Sequence, residues 1–471
     1  MKLDTSTDPQ VGYRPPGSLD SATALARYDG SFGRRQAAHL LRRAAFGGSP
    51  SQIDAAAAGG VRSAVEALVH PPQADLAFAE YPDTSVLYDR KLRTHAAQMW
   101  WLDRLVRTRH PLAEKMTLFW HGHFATSIRK VPAPLMVAQM NLFRTGGLGN
   151  FRSLLLAVSK DPAMLVWLDN RANVKAHPNE NYAREIMELF ALGLSNYTED
   201  DVRDAARAFT GWTLDRSLAF IYRENLHDAG TKTVLGRTGP LTGEDVVAAI
   251  VQQPIHQRFI CRKLLEYFVY SDPEPELVDE LAQTYALSGF DIARTVGTIF
   301  RSNVFYSTRA YRALPKSPVE FVVGTLRFMD IQTVPNDTPG WLARMGQDVL
   351  APPSVKGWDG GPTWINTTTL LARLNYVNRI VKASSPRADT LALTPDRIVA
   401  RAGGLDAERI LATLARDAVQ DDVTRDVRTT IVAYLHSADA TVPTPLSVEN
   451  YQEKIRGALA LVLQLPSNQL N

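Results

Sequence analysis

The segment from Pro178 to Trp212 places two carboxylates at the margin of an apolar helix face. On a helix of 100° per residue, residues 179–192 bring their large apolar side chains to one side. This apolar stripe consists of Tyr182, Ile186, Leu189 and Phe190. Asn181, Glu185 and Glu188 then follow one another along its edge, at positions i, i+4 and i+7. Because one face of such a helix has to be buried, the pattern predicts a fold of packed helices.

Glu185 has the more constrained environment of the two carboxylates. It lies between the directions of Leu189 and Leu192, where burial disfavours the charged form, so it requires a cation, a metal ion or a raised pKa. We therefore expect Glu185 to act as a metal ligand or a general base. Glu188 is open to two interpretations: a catalytic carboxylate, or a surface partner of Arg184 at i, i+4, a pair worth roughly a few tenths of a kcal/mol.

Composition and charge indicate a soluble globular protein. Of 471 residues, 45% are hydrophobic and 21% are charged, which is enough apolar material for a sizeable core. The 52 basic and 49 acidic residues nearly balance and form no dense basic stripe, so we expect no nucleic-acid partner. No run approaches the roughly 18 apolar residues of a membrane span. Since no apolar segment follows Lys2, we expect a cytoplasmic protein as the chain stands, although an exported chain after processing would look the same.

Helical periodicity extends over most of the chain, with one excursion into β-type sequence. The runs 219–222 and 233–235 flank a turn-forming segment, which predicts a hairpin or a pair of short strands. We therefore predict a mainly α protein, a large multi-helical domain with a small β-hairpin excursion. Its expected divisions are a flexible N-terminal arm over 1–30, a single helical domain over 31–465 with a loop-rich insertion at about 333–368, and a C-terminal tail over 466–471.

Two histidines flank a glycine at His121–Gly122–His123. On a helix their imidazoles point about 200° apart, whereas in a loop or extended segment they can converge on one metal ion if the glycine permits the bend. The alternative for His123 is structural. It continues an apolar line along the helix, formed by Leu112, Met116 and Phe119, so it could be a buried histidine that only satisfies a backbone carbonyl.

A second polar group lies in the turn that contains His227 and Asp228. The adjacent imidazole and carboxylate offer a nitrogen and an oxygen to one centre, and Lys232 could hold an anion or stabilise a developing negative charge. In the alternative interpretation Asp228 forms an Asx turn, with its side chain accepting from the backbone two residues ahead, and His227 is solvated.

Together these groups predict a metal centre with nitrogen and oxygen ligands. Cys261 is the only cysteine, so a thiolate-rich zinc site is excluded. The proposed ligands of a divalent Zn, Mn or Fe ion are His121, His123, His227 and Asp228. The proposed catalytic residues are Glu185, Glu188 and Lys232. Such an ion could generate a hydroxide for hydrolysis or support redox chemistry, and we place hydrolysis ahead of oxidation.

A glycine-rich segment, PPSVKGWDGGPTWIN, offers a different kind of site. Lys356, Trp358, Asp359 and Trp364 lie within it. Aromatic rings beside polar groups suit a carbohydrate or peptide surface. The alternative is that the two tryptophans pack as a plug that holds the loop in place.

Nine blocks in order resemble the bacterial family called domain of unknown function 1800. They cover about residues 37–460 and comprise AAHLLRRAAFGGSP, EKMTLFWHGHF, DPAMLVWLDN, PNENYAREIMELFALG, YTEDDVRDAARAFTGW, HDAGTKTVLG, ICRKLLEYFV, KSPVEF and PPSVKGWDGGPTWIN. The resemblance implies a shape but no reaction. Many relatives are exported and are encoded beside sulfatase-like proteins, which implies a sulfatase-like partner. The alternative to a metal enzyme is therefore a non-catalytic helical scaffold that binds such a partner through Trp358 and Trp364, in an oligomeric state the sequence leaves open.

Overall fold

The computed structural model of the protein describes residues 23–71, 89–331, 333–382, 394–437 and 446–471. Most of the predicted N-terminal arm therefore lies outside the described residues. Its last part, residues 23–30, packs against the helical body. Tyr28 donates its backbone N–H to the carbonyl of Arg301 (2.7 Å), and its ring lies 4.4 Å from that of Tyr306, measured between ring centres.

The described residues form twenty α-helices, which confirms the predicted mainly α class. In chain order, α1 to α20 are Arg34–Ala44, Pro50–Val69, Arg90–Arg107, Pro111–His123, Ala133–Gly146, Phe151–Ser159, Pro162–Trp167, Asn181–Met187, Glu199–Ala208, Gly243–Val251, Pro254–Phe268, Pro275–Leu287, Ile292–Phe300, Pro318–Phe328, Thr338–Arg344, Thr367–Lys382, Pro395–Ala402, Ala407–Val419, Arg425–His436 and Tyr451–Gln464. None of these helices combines the length and the apolar character needed to cross a lipid bilayer.

The β excursion consists of two separate antiparallel pairs. Strand β1 (Trp212–Leu214) pairs with β2 (Phe220–Tyr222), and β3 (Lys232–Val234) pairs with β4 (Arg237–Gly239). The two β-type segments predicted from the sequence therefore do not pair with each other, and each pairs with a different strand. The two-residue turn at 235–236 explains this choice for β3, because both residues have positive φ (49° and 80°), the geometry that closes a tight hairpin locally.

Helix α4 lies in the centre of the hydrophobic core. Its apolar residues Leu112, Met116 and Trp120 are fully buried, as expected for a helix surrounded on all sides. Even its charged side chains are inside the protein. Glu114 is ion-paired with two arginines, and Lys115 is ion-paired with Glu320 of α14.

The helix predicted over residues 179–192 changes its winding partway. It begins at Asn181, whose N–H is accepted by the side chain of Asn179 (3.0 Å), and from Glu188 to Leu192 it continues as a π-helix. Two carbonyls of this segment accept hydrogen bonds from histidine side chains. The carbonyl of Phe190 accepts from His123 (2.9 Å), and that of Ala191 accepts from His256 (3.2 Å). The π segment therefore positions one of the predicted site histidines.

The C-terminal residues 466–471 pack into the body. They form a short 3₁₀ turn, Pro466–Gln469, in which Asn468 and Gln469 are buried. The backbone N–H of Lys316 donates to Gln469 (2.8 Å), and that of Asn471 donates to Leu314 (2.8 Å).

Candidate functional site

An open cleft of about 460 Å³ lies between α4, α11 and residues 352–366, which we call the Trp358 loop. Its volume is within the range of small-molecule binding sites. We refer to it as the Trp358 cleft. The side chains that line it from these three elements include Phe119, His123, Lys263, Glu266, Tyr267, Lys356, Trp358, Asp359 and Trp364. Five residues singled out in the sequence therefore share one cavity.

The Trp358 loop is held close to α4 by a glycine contact. Gly357 has a φ of +85°, and a Cβ added there would lie 2.2 Å from the carbonyl oxygen of Gly122. Only glycine allows this approach, because any side chain would clash with the backbone of α4. Trp364 is buried, which supports the plug interpretation for that residue, whereas the partly exposed Trp358 forms part of the cleft wall.

His123 contributes a neutral imidazole to the cleft. Its Nε2 lies 2.9 Å from the carbonyl oxygen of Phe190, and since a carbonyl only accepts, Nε2 carries the proton and Nδ1 has a free lone pair. Burial, and then the positive charge of Lys263, hold the pKa of His123 well below its usual range. The structural alternative from the sequence is therefore observed, and the ring still has one nitrogen able to accept a hydrogen bond.

His121 does not converge with His123. Helix α4 continues unbroken to His123, so Gly122 makes no bend and the two imidazoles stay on different sides of the helix. His121 is fully buried, with its ring 5.4 Å from Trp101 and 5.5 Å from Trp358, measured between ring centres. Neither ring nitrogen has a hydrogen-bond partner among the described residues, and burial lowers the pKa of His121 to about 3.

Lys263 and Glu266 of α11 place opposite charges in the cleft. Burial lowers the pKa of Lys263 and raises the pKa of Glu266. On the facing loop, Lys356 and Asp359 form an ion pair of 3.1 Å. The sequence analysis did not select Lys263, Glu266 or the neighbouring Tyr267. Their i, i+3 and i, i+4 spacing places them along one face of α11, but nothing in that spacing indicated what the face meets.

The carboxylates of the 178–212 segment have local partners. Burial, followed by the charge of Glu188, raises the pKa of Glu185, which fulfils one of the three conditions predicted for it. Glu188 accepts from the hydroxyl of Tyr197 (2.6 Å) instead of pairing with Arg184. Arg184 is ion-paired with Glu180 (3.2 Å) and Glu199 (2.8 Å). Asn181 is exposed at the start of α8.

The polar turn at 227–232 is also satisfied locally. Asp228 accepts the N–H of Gly230 (2.8 Å), so the Asx turn is present, and it is ion-paired with Arg207 (2.7 Å). The alternative interpretation has His227 solvated, but the structure buries it. Its Nδ1 lies 3.0 Å from the carbonyl oxygen of Thr210. Lys232 donates to the carbonyl of Gly230 (2.9 Å), and burial lowers its pKa.

Two observations bear on the proposed metal ligands. The imidazoles of α4 point apart, and Asp228 is engaged by an arginine. Within the part of the chain that the structure describes, no group of three or more His, Cys, Asp or Glu side chains is placed to hold an ion.

No curated protein and no solved structure gives a significant match to the chain. A family model described as "Protein of unknown function (DUF1800)" matches residues 39–470. This match covers nearly the whole sequence and includes α4, α11 and the Trp358 loop. The chain therefore belongs to the DUF1800 family of proteins of unknown function.

Proposed function

We propose that the protein binds a carbohydrate in the Trp358 cleft. The observation that supports this proposal is the combination of Trp358, Phe119 and Tyr267 with polar groups around one open cavity. A sugar ring has an apolar CH face and a rim of hydroxyls, and both find partners there. An aromatic ring covers the CH face, while His123 Nδ1, Glu266 and Asp359 supply acceptors for hydroxyl donors.

The charges of the cleft favour a neutral ligand over an anionic one. The ammonium of Lys356 is ion-paired with Asp359, and Lys263 lies on the same helix as Glu266. A concave cavity of about 460 Å³ also suits a small molecule better than a sulfatase-like protein. Concave clefts of this size are typical of small-molecule sites, whereas a stable protein interface buries roughly 800 Å² on each partner.

In the hydrolytic form of the proposal, Glu266 is the proton donor. The surrounding protein partly removes this carboxyl group from water and raises its pKa, which is the direction that a proton donor requires. The proton would pass to the glycosidic oxygen of the leaving group, and a water molecule activated by a second carboxylate would complete the hydrolysis. Asp359 lines the same cleft and is the second carboxylate of this proposal.

Replacing Trp358 by alanine is expected to weaken carbohydrate binding about tenfold, because stacking beyond area burial is worth roughly 1 kcal/mol and the removed ring also loses its apolar contact area. A panel of soluble polysaccharides in affinity electrophoresis identifies the ligand. Calorimetry with an oligosaccharide of that type then gives the two dissociation constants.

Trp341→Ala is the matched control for this experiment. Trp341 packs on Tyr376 and Arg344, and it is not among the residues that line the cleft. The Trp341→Ala substitution should leave the dissociation constant for the oligosaccharide unchanged. The proposal fails if no polysaccharide retards the wild-type protein, or if both tryptophan variants bind as tightly as the wild type.

A metal-dependent enzyme is the second candidate. The observation that favours it is that neither ring nitrogen of the buried His121 has a hydrogen-bond partner among the described residues, while burial keeps this imidazole neutral, the protonation state in which it binds a metal. Metal analysis after chelator-free purification separates the candidates. Stoichiometric Zn, Mn or Fe that is lost in His121→Ala would favour the metal enzyme. No metal uptake, even after these ions are added, would remove it.

A further inference from the structure

A group of buried polar atoms without partners lies behind Trp358. Trp101 of α3 and His121 of α4 are both 0% exposed, and their ring centres are 5.4 Å apart. The indole Nε1 of Trp101 and both ring nitrogens of His121 lack a hydrogen-bond partner among the described residues. His256 shows the usual situation, because it is equally buried and both of its nitrogens are bonded (3.2 Å each). Buried indole and imidazole groups normally have partners, so the pair formed by Trp101 and His121 requires an explanation.

The unpaired atoms match the hydrogen-bonding pattern of a hydroxyl group. Burial lowers the pKa of His121 to about 3, so its ring is neutral and presents one N–H donor and one lone pair. The indole of Trp101 adds a second N–H donor. A hydroxyl oxygen can accept from these donors while the hydroxyl proton is donated to the lone pair of His121. Neither side chain carries a charge, so the pair suits a neutral group better than an ion.

Trp358 separates this pair from the Trp358 cleft. Its ring lines the cleft and lies 5.5 Å from the ring of His121, measured between ring centres, at an angle of 70°. Trp358 is partly exposed, and its indole nitrogen makes no hydrogen bond to the described residues. A rotation of this side chain therefore breaks only packing contacts, while Gly357 keeps the backbone of the loop against Gly122. Such a rotation connects the cleft to His121.

We propose that Trp101 and His121 form a subsite of the Trp358 cleft that binds one hydroxyl group of the ligand, and that rotation of Trp358 opens it. This inference rests on the proposed carbohydrate binding and names the class of sugar. Because the subsite lies behind the cleft wall, it suits a hydroxyl on an exocyclic arm better than one attached directly to the sugar ring. The hydroxymethyl group of a hexose is such an arm, so the ligand is a polymer of hexoses and not of pentoses.

His121→Leu separates a role in binding from a role in stability. Leucine is close to histidine in size and has no polar side-chain atoms, so the melting temperature should be unchanged or higher. Binding of the hexose oligosaccharide identified by affinity electrophoresis should weaken about tenfold in calorimetry, since the hydrogen bonds to one hydroxyl are lost. A structural role of the imidazole, for example through a buried water molecule, predicts a lower melting temperature with unchanged binding and would overturn the proposal.

Trp101→Phe is the second variant, because it removes the N–H donor and keeps an aromatic ring. We expect it to weaken binding about fivefold, the effect of one lost hydrogen bond. Trp167→Phe is the matched control. The Nε1 of Trp167 is also buried without a partner among the described residues, but Trp167 packs near Lys130 and is not among the residues that line the cleft. Its removal should leave binding unchanged, and equal binding by the wild type and all three variants contradicts the subsite.

Acylation of histidines by diethyl pyrocarbonate tests the rotation of Trp358 without any sugar. Peptide mass spectrometry follows His121, with exposed His70 and fully buried His256 as the open and closed references in the same molecule. His121 should react faster than His256 in the wild type, and roughly tenfold faster again in Trp358→Ala, where no ring has to move. A wild-type rate equal to that of His256 would show that the subsite stays closed and would overturn the proposal.

The outcomes separate this inference from the carbohydrate proposal. If no polysaccharide binds, both fail. If the protein binds only a pentose polymer such as xylan, or binds hexose polymers equally well after His121→Leu, the subsite alone fails. A metal ion found on His121 would also overturn the subsite, because it would occupy the lone pair that the hydroxyl requires.

Discussion

Replacing Glu114 by glutamine is expected to lower the free energy of unfolding by about 3–5 kcal/mol, because the change leaves two buried guanidinium groups facing a neutral amide. Glu114 is 1% exposed. It accepts from Nε of Arg104 (2.8 Å) and from Nη2 of Arg144 (3.0 Å). Burial, followed by the charge of Arg144, lowers the pKa of Arg104 to about 10, so the site already disfavours positive charge. Urea unfolding followed by circular dichroism measures the difference.

Glu199→Gln is the matched control, because Glu199 accepts from Arg184 (2.8 Å) in an exposed ion pair. Water solvates both partners once that pair is broken, so little change in stability is expected. Equal effects of the two substitutions would show that burial of the Glu114 network contributes nothing to stability.

Local sequence patterns were sufficient to predict the helices and the partly buried environment of Glu185. The direction of Glu185 on a helix depends only on its neighbours along the chain, and its expected loss of water agrees with the raised pKa. The change to a π-helix at Glu188 could not be read from the same pattern. It depends on His123 and His256, which come from α4 and α11 and bind two of its carbonyls.

The site required information that no local pattern carries. Any two of His123, Glu266 and Trp358 are more than ninety residues apart along the chain. Only the packing of the helices brings them to one cleft. The sequence leaves a bend possible at the glycine between the two histidines. Because α4 is surrounded by core, it stays helical there. The position that requires a glycine is instead Gly357, which packs against the carbonyl of Gly122. Each predicted metal ligand was plausible by residue type, but residue type does not determine distance.

Asp161→Asn is expected to remove a large pH dependence of stability. Asp161 is 4% exposed, caps α7 by accepting from the N–H of Met164 (3.0 Å), and accepts from Nε2 of Gln139 (2.7 Å). Burial raises its pKa from 3.8 to about 7 despite these bonds. The folded protein therefore holds a proton that the unfolded chain releases near pH 4. This contribution to stability is fully present below that pH and is lost as pH rises to about 7.

At about 1.4 kcal/mol per pKa unit, the loss between pH 4 and pH 8 amounts to roughly 4 kcal/mol. Asparagine stays neutral and keeps one oxygen for both donors, so Asp161→Asn should equal the wild type near pH 4 and exceed its stability at pH 8. Urea unfolding at a series of pH values measures this. Asp291→Asn is the control, because Asp291 caps α13 in a more exposed position by accepting from the N–H of Arg294 (2.8 Å). The free energy of unfolding of Asp291→Asn should differ from that of the wild type by the same amount at both pH values. Parallel stability profiles for the wild type and Asp161→Asn would mean that the carboxyl group of Asp161 is already ionised at pH 4 in the folded protein, with solvent or a cation reaching it.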